Sequence, residues 1–241
     1  MPSDSFNVFV TTMICANLAH IRETITRSAH KAGRSPEAVK LVAVSKTVSV
    51  DAMLAAVHCG QMVFGENYIQ EAAQKRPHLP GISQWHYIGH LQSNKTKRAV
   101  ELFDVIQTVD RWETAAALDS HARALGKSLS ILLQVNIGRE SQKSGTLPEA
   151  AEALLHKIAG ATGLHILGLM AMPPYSPEPE HSRPFFREMN RLAQRFAACG
   201  LFADNGRVEL SMGMSTDYPV AIEEGATLVR IGTALFGTRQ P

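Results

Sequence analysis

The run LVAVSKT at residues 41 to 47 places one lysine, Lys46, at the downstream end of an apolar, β-branched segment. A segment apolar at every position reads as a strand buried on both faces, as in a parallel sheet, and α/β proteins keep their chemistry at such strand ends. Partial desolvation there favours the neutral amine, a nucleophile toward aldehydes. The alternative is a lysine whose stem lines a rim while its ammonium meets water or a carboxylate.

Two further runs could do chemistry. SMGMST at residues 211 to 216 and IGTALFG at residues 231 to 237 put Gly213, Gly232 and the small hydroxyls of Ser211, Ser215 and Thr233 just after apolar segments. A phosphate dianion needs several N–H donors and a short hydroxyl, with no side chain in its path. Glycines that only close tight turns are the simpler account of either loop alone. Both loops together point to phosphate if they follow the last two strands of a barrel. Arg230 lies two residues before Gly232 and so shares its face of the strand. Facing inward, its guanidinium requires a partner: an aromatic ring nitrogen, a ligand carboxylate or a buried aspartate. An amine, a phosphate nest and an inward cation together fit pyridoxal 5′-phosphate, with Lys46 on its aldehyde as a Schiff base, the two loops on its phosphate and Arg230 on its ring nitrogen.

The elements that must position these groups recur along the chain. Eight short β-branched runs, LVAVSK, MVFGEN, QWHYIG, FDVIQTVD, SILLQVNI, HILGLMAM, VELSMG and TLVRIG, alternate with Ala- and Leu-rich helical patterns, without a composition break. Strict alternation over 241 residues predicts a single α/β domain spanning 1–241, a (β/α)8 TIM barrel, rather than an open doubly wound sheet, whose glycine fingerprints are missing. The last strand is followed by too few residues for a full helix, whereas an amphipathic helix over about residues 15 to 33 precedes the first; this extra N-terminal helix is expected to cover the wall left bare. Residues 1 to about 6 are expected to fray. The polar rim would then comprise Lys46, Glu66, Asn67, His90, Gln92, Asn94, Asn136, Ser211, Ser215, Arg230 and Thr233, with Met170, Met172 and Met214 among them.

Composition excludes several classes. The hydrophobic fraction of 45%, the charged fraction of 19% and a net charge of +2 describe an ordinary globular chain with no polyanionic partner implied. Cys15, Cys59 and Cys199 are far apart and form no CxxC pair, which predicts free thiols in the cytoplasm and neither a disulfide framework nor a zinc knuckle. The start lacks a basic region before its apolar stretch, unlike a secretory signal, and nothing approaches a membrane span. Ten histidines contain no HExxH, so no metal is expected. Asn94, Lys95, Lys97 and Arg98, beside Glu101, read as a solvated helix face, not a nucleic-acid footprint, and Trp85 and Trp112 as core or wall.

LVAVSK, FGENYIQE, WHYIGHLQSNK, NIGRESQKSG, GLMAM, LSMGMSTDYPVAI and TLVRIGTALFG, in this order over residues 41 to 237, resemble the pyridoxal-phosphate homeostasis proteins, called YggS in bacteria and PROSC in animals. The resemblance implies a fold-type III barrel related to the barrel domain of alanine racemase, without its C-terminal β domain, and with the cofactor on Lys46. It implies cofactor contacts at Asn67, Ser211, Met212, Gly213, Arg230, Gly232 and Thr233, to which His90 and Met214 are added. It also implies a role in binding, buffering or delivering the vitamin B6 cofactor without turnover. Acceptor pyridoxal-phosphate enzymes are then the expected partners, and the chain a monomer or weak homodimer with no membrane or nucleic-acid partner.

Racemisation needs two acid/base groups on opposite faces of the cofactor. Lys46 is one; the second, a tyrosine in the racemases the chain resembles, depends on the extra domain that the sequence is expected to lack. An arginine at the ring nitrogen also leaves that nitrogen unprotonated and the electron sink weak. A racemase or lyase of the alanine racemase type is the main alternative, and a barrel acting on a phosphorylated aldehyde sugar the third.

Overall fold

The computed structural model describes residues 4–203 and 207–238. Eight parallel strands, β1 Lys40–Val44, β2 Val63–Glu66, β3 Gln84–Tyr87, β4 Val105–Val109, β5 Leu129–Val135, β6 Leu164–Ala171, β7 Glu209–Ser211 and β8 Leu228–Ile231, pair in chain order. β8 pairs with β1, with Val42 opposite Arg230, and closes the barrel. The α-helices are α1 Asp4–Lys31, α2 Val50–His58, α3 Ile69–Lys75, α4 Thr96–Leu102, α5 Trp112–Ala124, α6 Pro148–Ala159, α7 Arg183–Ala198, α8 Tyr218–Glu223 and α9 Thr233–Phe236. The (β/α)8 expectation therefore holds, and each of the eight β-branched runs supplies one strand.

Alternation within the strands sorts side chains into two layers. One large apolar cluster fills the space between sheet and helices, whereas a smaller one, built on Val42, Leu132, Met170 and Leu228, lies inside the barrel. Buried Trp85 stacks obliquely on Phe64 in the outer layer, at 6.0 Å between ring centroids. Trp112 is half-buried on the wall beneath the Lys157 ammonium. On α4, Lys97 and Arg98 are exposed and Arg98 pairs with Glu101, the solvated face expected of that cluster.

The leading helix is longer than its sequence pattern suggested, since α1 begins at Asp4; the fraying expected from residue 1 falls partly on residues 1–3, which lie outside the described residues. Ile14, Leu18, Ile21 and Ile25 are buried at spacings of three and four, which makes one apolar stripe. That stripe packs on α2, α8 and α9. Since α9 is only four residues long, α1 supplies the wall cover that a full eighth helix provides elsewhere, as anticipated. Arg22 of α1 also donates to the carbonyls of Cys59 at 3.0 Å and Gly60 at 2.8 Å, satisfying the open end of α2.

The same packing corrects the cysteine expectation. Cys15 of α1 and Cys59 at the end of α2 face each other with Cα atoms 5.5 Å apart and are joined as a disulfide, while Cys199 is free and exposed. A separation of 44 residues hid the pair, because only the docking of α1 on α2 brings the two together. Thiol titration in denaturant should detect one thiol per chain before reduction and three after it. Reduction should also lower the melting temperature, since a loop of this length is worth about 4 kcal/mol in the chain-entropy account. Three thiols in unreduced protein would refute the pairing.

Candidate functional site

The strand register assembles most of the expected site residues without further help. Ala43 lies opposite Ile231 on one side, and Val44 lies opposite Gly65 on the other. Lys46, Asn67 and the Gly232–Thr233 turn follow within two residues of these paired ends, so the three leave the barrel at adjacent points of one rim. Lys46 is half-buried in the turn that follows β1, Asn67 is half-buried, Gly232 is buried and Thr233 is exposed. On the next strand, the Arg230 N–H donates to the Gly213 carbonyl at 3.0 Å, and a 3.4 Å contact from the Ala234 N–H to Ser215 Oγ joins the loops after β7 and β8. One arc of the rim, from β7 through β8 and β1 to β2, thus holds Ser211, Gly213, Arg230, Gly232, Thr233, Lys46 and Asn67.

Two of the loops need glycine for identifiable reasons. Gly213 has φ of +89°, and a Cβ there would sit 2.6 Å from Ala221 Cβ of α8; helix packing demands this glycine, independently of any ligand. At Gly89 a Cβ would lie 2.2 Å from the Asn67 carbonyl oxygen, so the loop after β3 fixes the backbone of Asn67 by close approach. The β7 loop is folded by buried Asp217, which accepts from the Met214 N–H at 2.8 Å and from Ser182 Oγ at 3.1 Å.

Other expected residues fall elsewhere. Met212 is buried in the outer layer between barrel and helices, so only its backbone reaches the rim. Met170 is buried inside the barrel. Asn136 holds the loop after β5, donating to Glu140 O at 2.8 Å and accepting from its N–H at 3.2 Å. His90, Met172 and Met214 face a cavity of 290 Å³ that spans the β3–β6 arc of the rim and reaches the loop after β7, with Thr108, Gln134 and Lys143. His90 is exposed there and its ring lies 3.1 Å from Ser144 Oγ. Gln92 and Asn94 are exposed beyond that arc. No helix among the described residues is long and apolar enough to cross a membrane, and among them no group of three or more metal-ligating side chains comes together.

Comparison with known proteins decides the relationship. The family model for the alanine racemase N-terminal domain matches residues 16–240. The pyridoxal phosphate homeostasis protein of Escherichia coli K12 is 41% identical over 231 residues, covering 94% of this chain and 97% of that one. The protein of the same name from Aquifex aeolicus is 38% identical, covering 94% and 98%. Among solved structures, PipY of Synechococcus elongatus with PLP bound superposes with a TM-score of 0.79 at 37% identity, covering 93% of this chain and all of that one. The chain belongs to the pyridoxal phosphate homeostasis protein family. Alanine racemase from Corynebacterium glutamicum, at 18% identity and a TM-score of 0.68 over 95% of this chain and 62% of that one, shares the fold.

Against that family background, two polar constructions beneath the rim escape a reading of the sequence. The first runs across the barrel interior. Arg230 Nη1 donates to Ser211 Oγ at 2.6 Å, Ser211 Oγ donates to Gln107 Oε1 at 2.7 Å, and Gln107 Nε2 lies 2.7 Å from His86 Nδ1. Arg230 Nη2 donates to the Ala171 carbonyl at 3.0 Å. The guanidinium is therefore a buried cation held by neutral acceptors, and burial lowers it from its ordinary value to about 10, with Asp217 opposing by charge alone. It stays protonated at neutral pH. Because every donor in the chain points away from Arg230, Gln107 must donate to His86 Nδ1, which fixes the imidazole as neutral with its proton on Nε2. Burial, seconded by the Lys40 charge, holds His86 down at about 3. The second construction surrounds Lys75, whose ammonium donates to the Ser45 carbonyl at 2.7 Å.

Unfolded His86 takes up a proton as pH falls below its ordinary value of 6.5, and the folded barrel refuses it until about 3. The folded state therefore loses stability as pH falls through that window, by about 1.4 kcal/mol per unit. Urea titrations of the protein and of His86→Asn should give a stability difference that is largest near neutrality and shrinks toward pH 4. A difference that does not change with pH would contradict the neutral buried imidazole.

Proposed function

We propose that this protein binds pyridoxal 5′-phosphate at the β7–β8–β1–β2 arc, holds it on Lys46 and serves its intracellular supply as a carrier or buffer without turnover. Arg230 carries the reading: a buried cation with neutral partners, on the same closed rim as an amine-bearing lysine and a glycine-hydroxyl loop pair. In this assignment Arg230 faces the ring nitrogen, and the N–H groups of Gly213, Gly232 and Thr233 with the Thr233 hydroxyl receive the phosphate, while Ser211, whose hydroxyl proton goes to Gln107, and Met212, whose N–H goes to the Leu228 carbonyl, form the wall beside it. Asn67 flanks the ring, and His90 and Met214 bound the open side. When bound, the cofactor supplies an aldehyde that Lys46 takes as a Schiff base, with loss of water. The chain's own residues orient it and keep its ring nitrogen unprotonated, since a permanently charged guanidinium donates and does not accept.

The match to nearly the whole length of homeostasis relatives, together with the likeness to PipY, whose structure was solved with PLP bound, supports this reading. Acceptor enzymes that take the cofactor are the proposed partners, with the protein a monomer or weak homodimer. The cytoplasm is proposed from that supply role; the Cys15–Cys59 link removes cysteine usage as a ground for it.

The 290 Å³ cavity beside His90 favours a second reading, a racemase or lyase, because it is room for an amino acid next to the arc. Absorbance separates the alternatives. With cofactor added, the protein should show a band at roughly 410 to 430 nm that is lost in Lys46→Ala, and borohydride should fix the label on the peptide carrying Lys46. Incubation with amino acids should give no epimerisation or loss beyond that of Lys46→Ala. Sustained wild-type turnover would establish the enzyme instead, and protein that stays colourless in excess cofactor would overturn the binding reading.

A further inference from the structure

Directly under the Lys46 turn lies a buried ionic cluster with no counterpart in the chemistry assigned so far. The ammonium of Lys75, on the last turn of α3, donates to the Ser45 carbonyl at 2.7 Å, to Glu66 Oε1 at 2.8 Å and to Glu71 Oε2 at 2.6 Å. An ammonium has three N–H donors, so these contacts use all of them. Ser45 Oγ donates to the same Glu66 oxygen at 2.8 Å, and Glu71 Oε2 also accepts the Thr47 N–H at 2.8 Å. Lys75 is 8% exposed and Glu66 is fully buried.

The position of these contacts matters more than their number. They grip the backbone at Ser45 and at Thr47, the residues on either side of Lys46. Thr47 has φ of +61°, a left-handed conformation that is strained for a β-branched residue. An interior wall needs neither a charged triad nor a strained threonine, and a triad of this kind is weak as a source of stability alone, because desolvating it offsets its attraction. Glu66 also has a second oxygen, Oε2, buried with no partner among the described residues. These costs are explained if the cluster fixes the direction in which the chain leaves β1.

We propose that Lys75, acting through Glu71 and the Ser45 carbonyl, is a positioning residue that locks the Ser45–Thr47 turn and so aims the Lys46 amine at the cofactor aldehyde. The inference rests on Lys46 as the cofactor-bearing lysine. Lys75 touches neither the aldehyde nor the reacting amine in this role; it removes freedom from the backbone between two fixed points, which is the entropic part of reactivity.

Pyridoxine 5′-phosphate, which has an alcohol in place of the aldehyde, separates pocket from aim. Binding of this analogue reports the arc alone, whereas the rate of Lys46 labelling by pyridoxal 5′-phosphate and borohydride reports the amine. Lys75→Met should bind the analogue within about threefold of wild type while Lys46 labelling slows at least about tenfold. Amide hydrogen exchange across residues 45 to 47 should accelerate without cofactor present. Glu71→Ala, at the half-exposed end of the cluster, should show the same split more weakly and serves if Lys75→Met does not fold. Labelling unchanged in these variants, or analogue binding lost in step with labelling, would overturn the positioning role. Absence of Lys46 labelling in wild type would instead overturn the cofactor reading on which it rests, and unchanged exchange at residues 45 to 47 would independently reject the lock.

Discussion

Closure of β8 onto β1 is the constraint on which the rest of the site depends. With Val42 opposite Arg230 and Ala43 opposite Ile231, the first and last strands of the sequence become neighbours, and only then do a lysine near residue 46 and a loop near residue 232 share one rim. Chain entropy opposes bringing such distant segments together. The opposing terms are the apolar layers on both sides of the sheet and the cover that α1 lays over α2, α8 and α9. The leading helix therefore contributes to the site without reaching the mouth: Asn17 donates to the Leu235 carbonyl at 3.0 Å and ties α1 to the short helix that follows Gly232.

Much of this was legible in the sequence because parallel strands buried on both faces write themselves as unbroken apolar runs. LVAVS and SILLQVNI could hardly be anything else, and the rule that places chemistry at their C-terminal ends singled out Lys46, Asn67 and Arg230. Two-residue alternation correctly sent Arg230 inward, where it is 4% exposed. The same alternation, applied one residue further at Ser211, turns Met212 away from the mouth; a motif match counts residues, whereas a strand counts faces.

What stayed hidden depends on contacts between elements. Glu71 and Lys75, four apart on α3, have the spacing of an ordinary surface pair. Nothing in that spacing shows that the Lys75 ammonium is enclosed by Ser45 and Glu66 from two preceding segments. Burial pushes the Glu66 carboxyl upward, and Lys75 and Ser45 pull it back only in part, a balance set by tertiary packing alone. Cys15 and Cys59 are brought together by a helix pairing that sequence distance does not encode. His86 and Gln107 lie within two of the strand runs, and their partnership depends on the interior that β3, β4, β7 and β8 share.

The two buried cations bear on the proposed cofactor site in different ways. Arg230 sits among neutral acceptors and keeps an unspent charge inside the barrel, so it favours a ligand that offers a lone pair to its remaining N–H groups. Lys75 is neutralised by two carboxylates and has no donor left, so its effect is mechanical. Carbanion chemistry is favoured by a ring nitrogen that carries a proton, and a guanidinium that stays charged does not provide one. A lysine held in a defined direction and a ring kept electron-rich would together suit a protein that takes up the cofactor and gives it back. The polar chain to His86 reinforces that arrangement: the contacts from Arg230 through Ser211 and Gln107 to His86 Nδ1 persist only while Arg230 donates and His86 remains neutral, although His86 Nε2 is buried without a partner among the described residues.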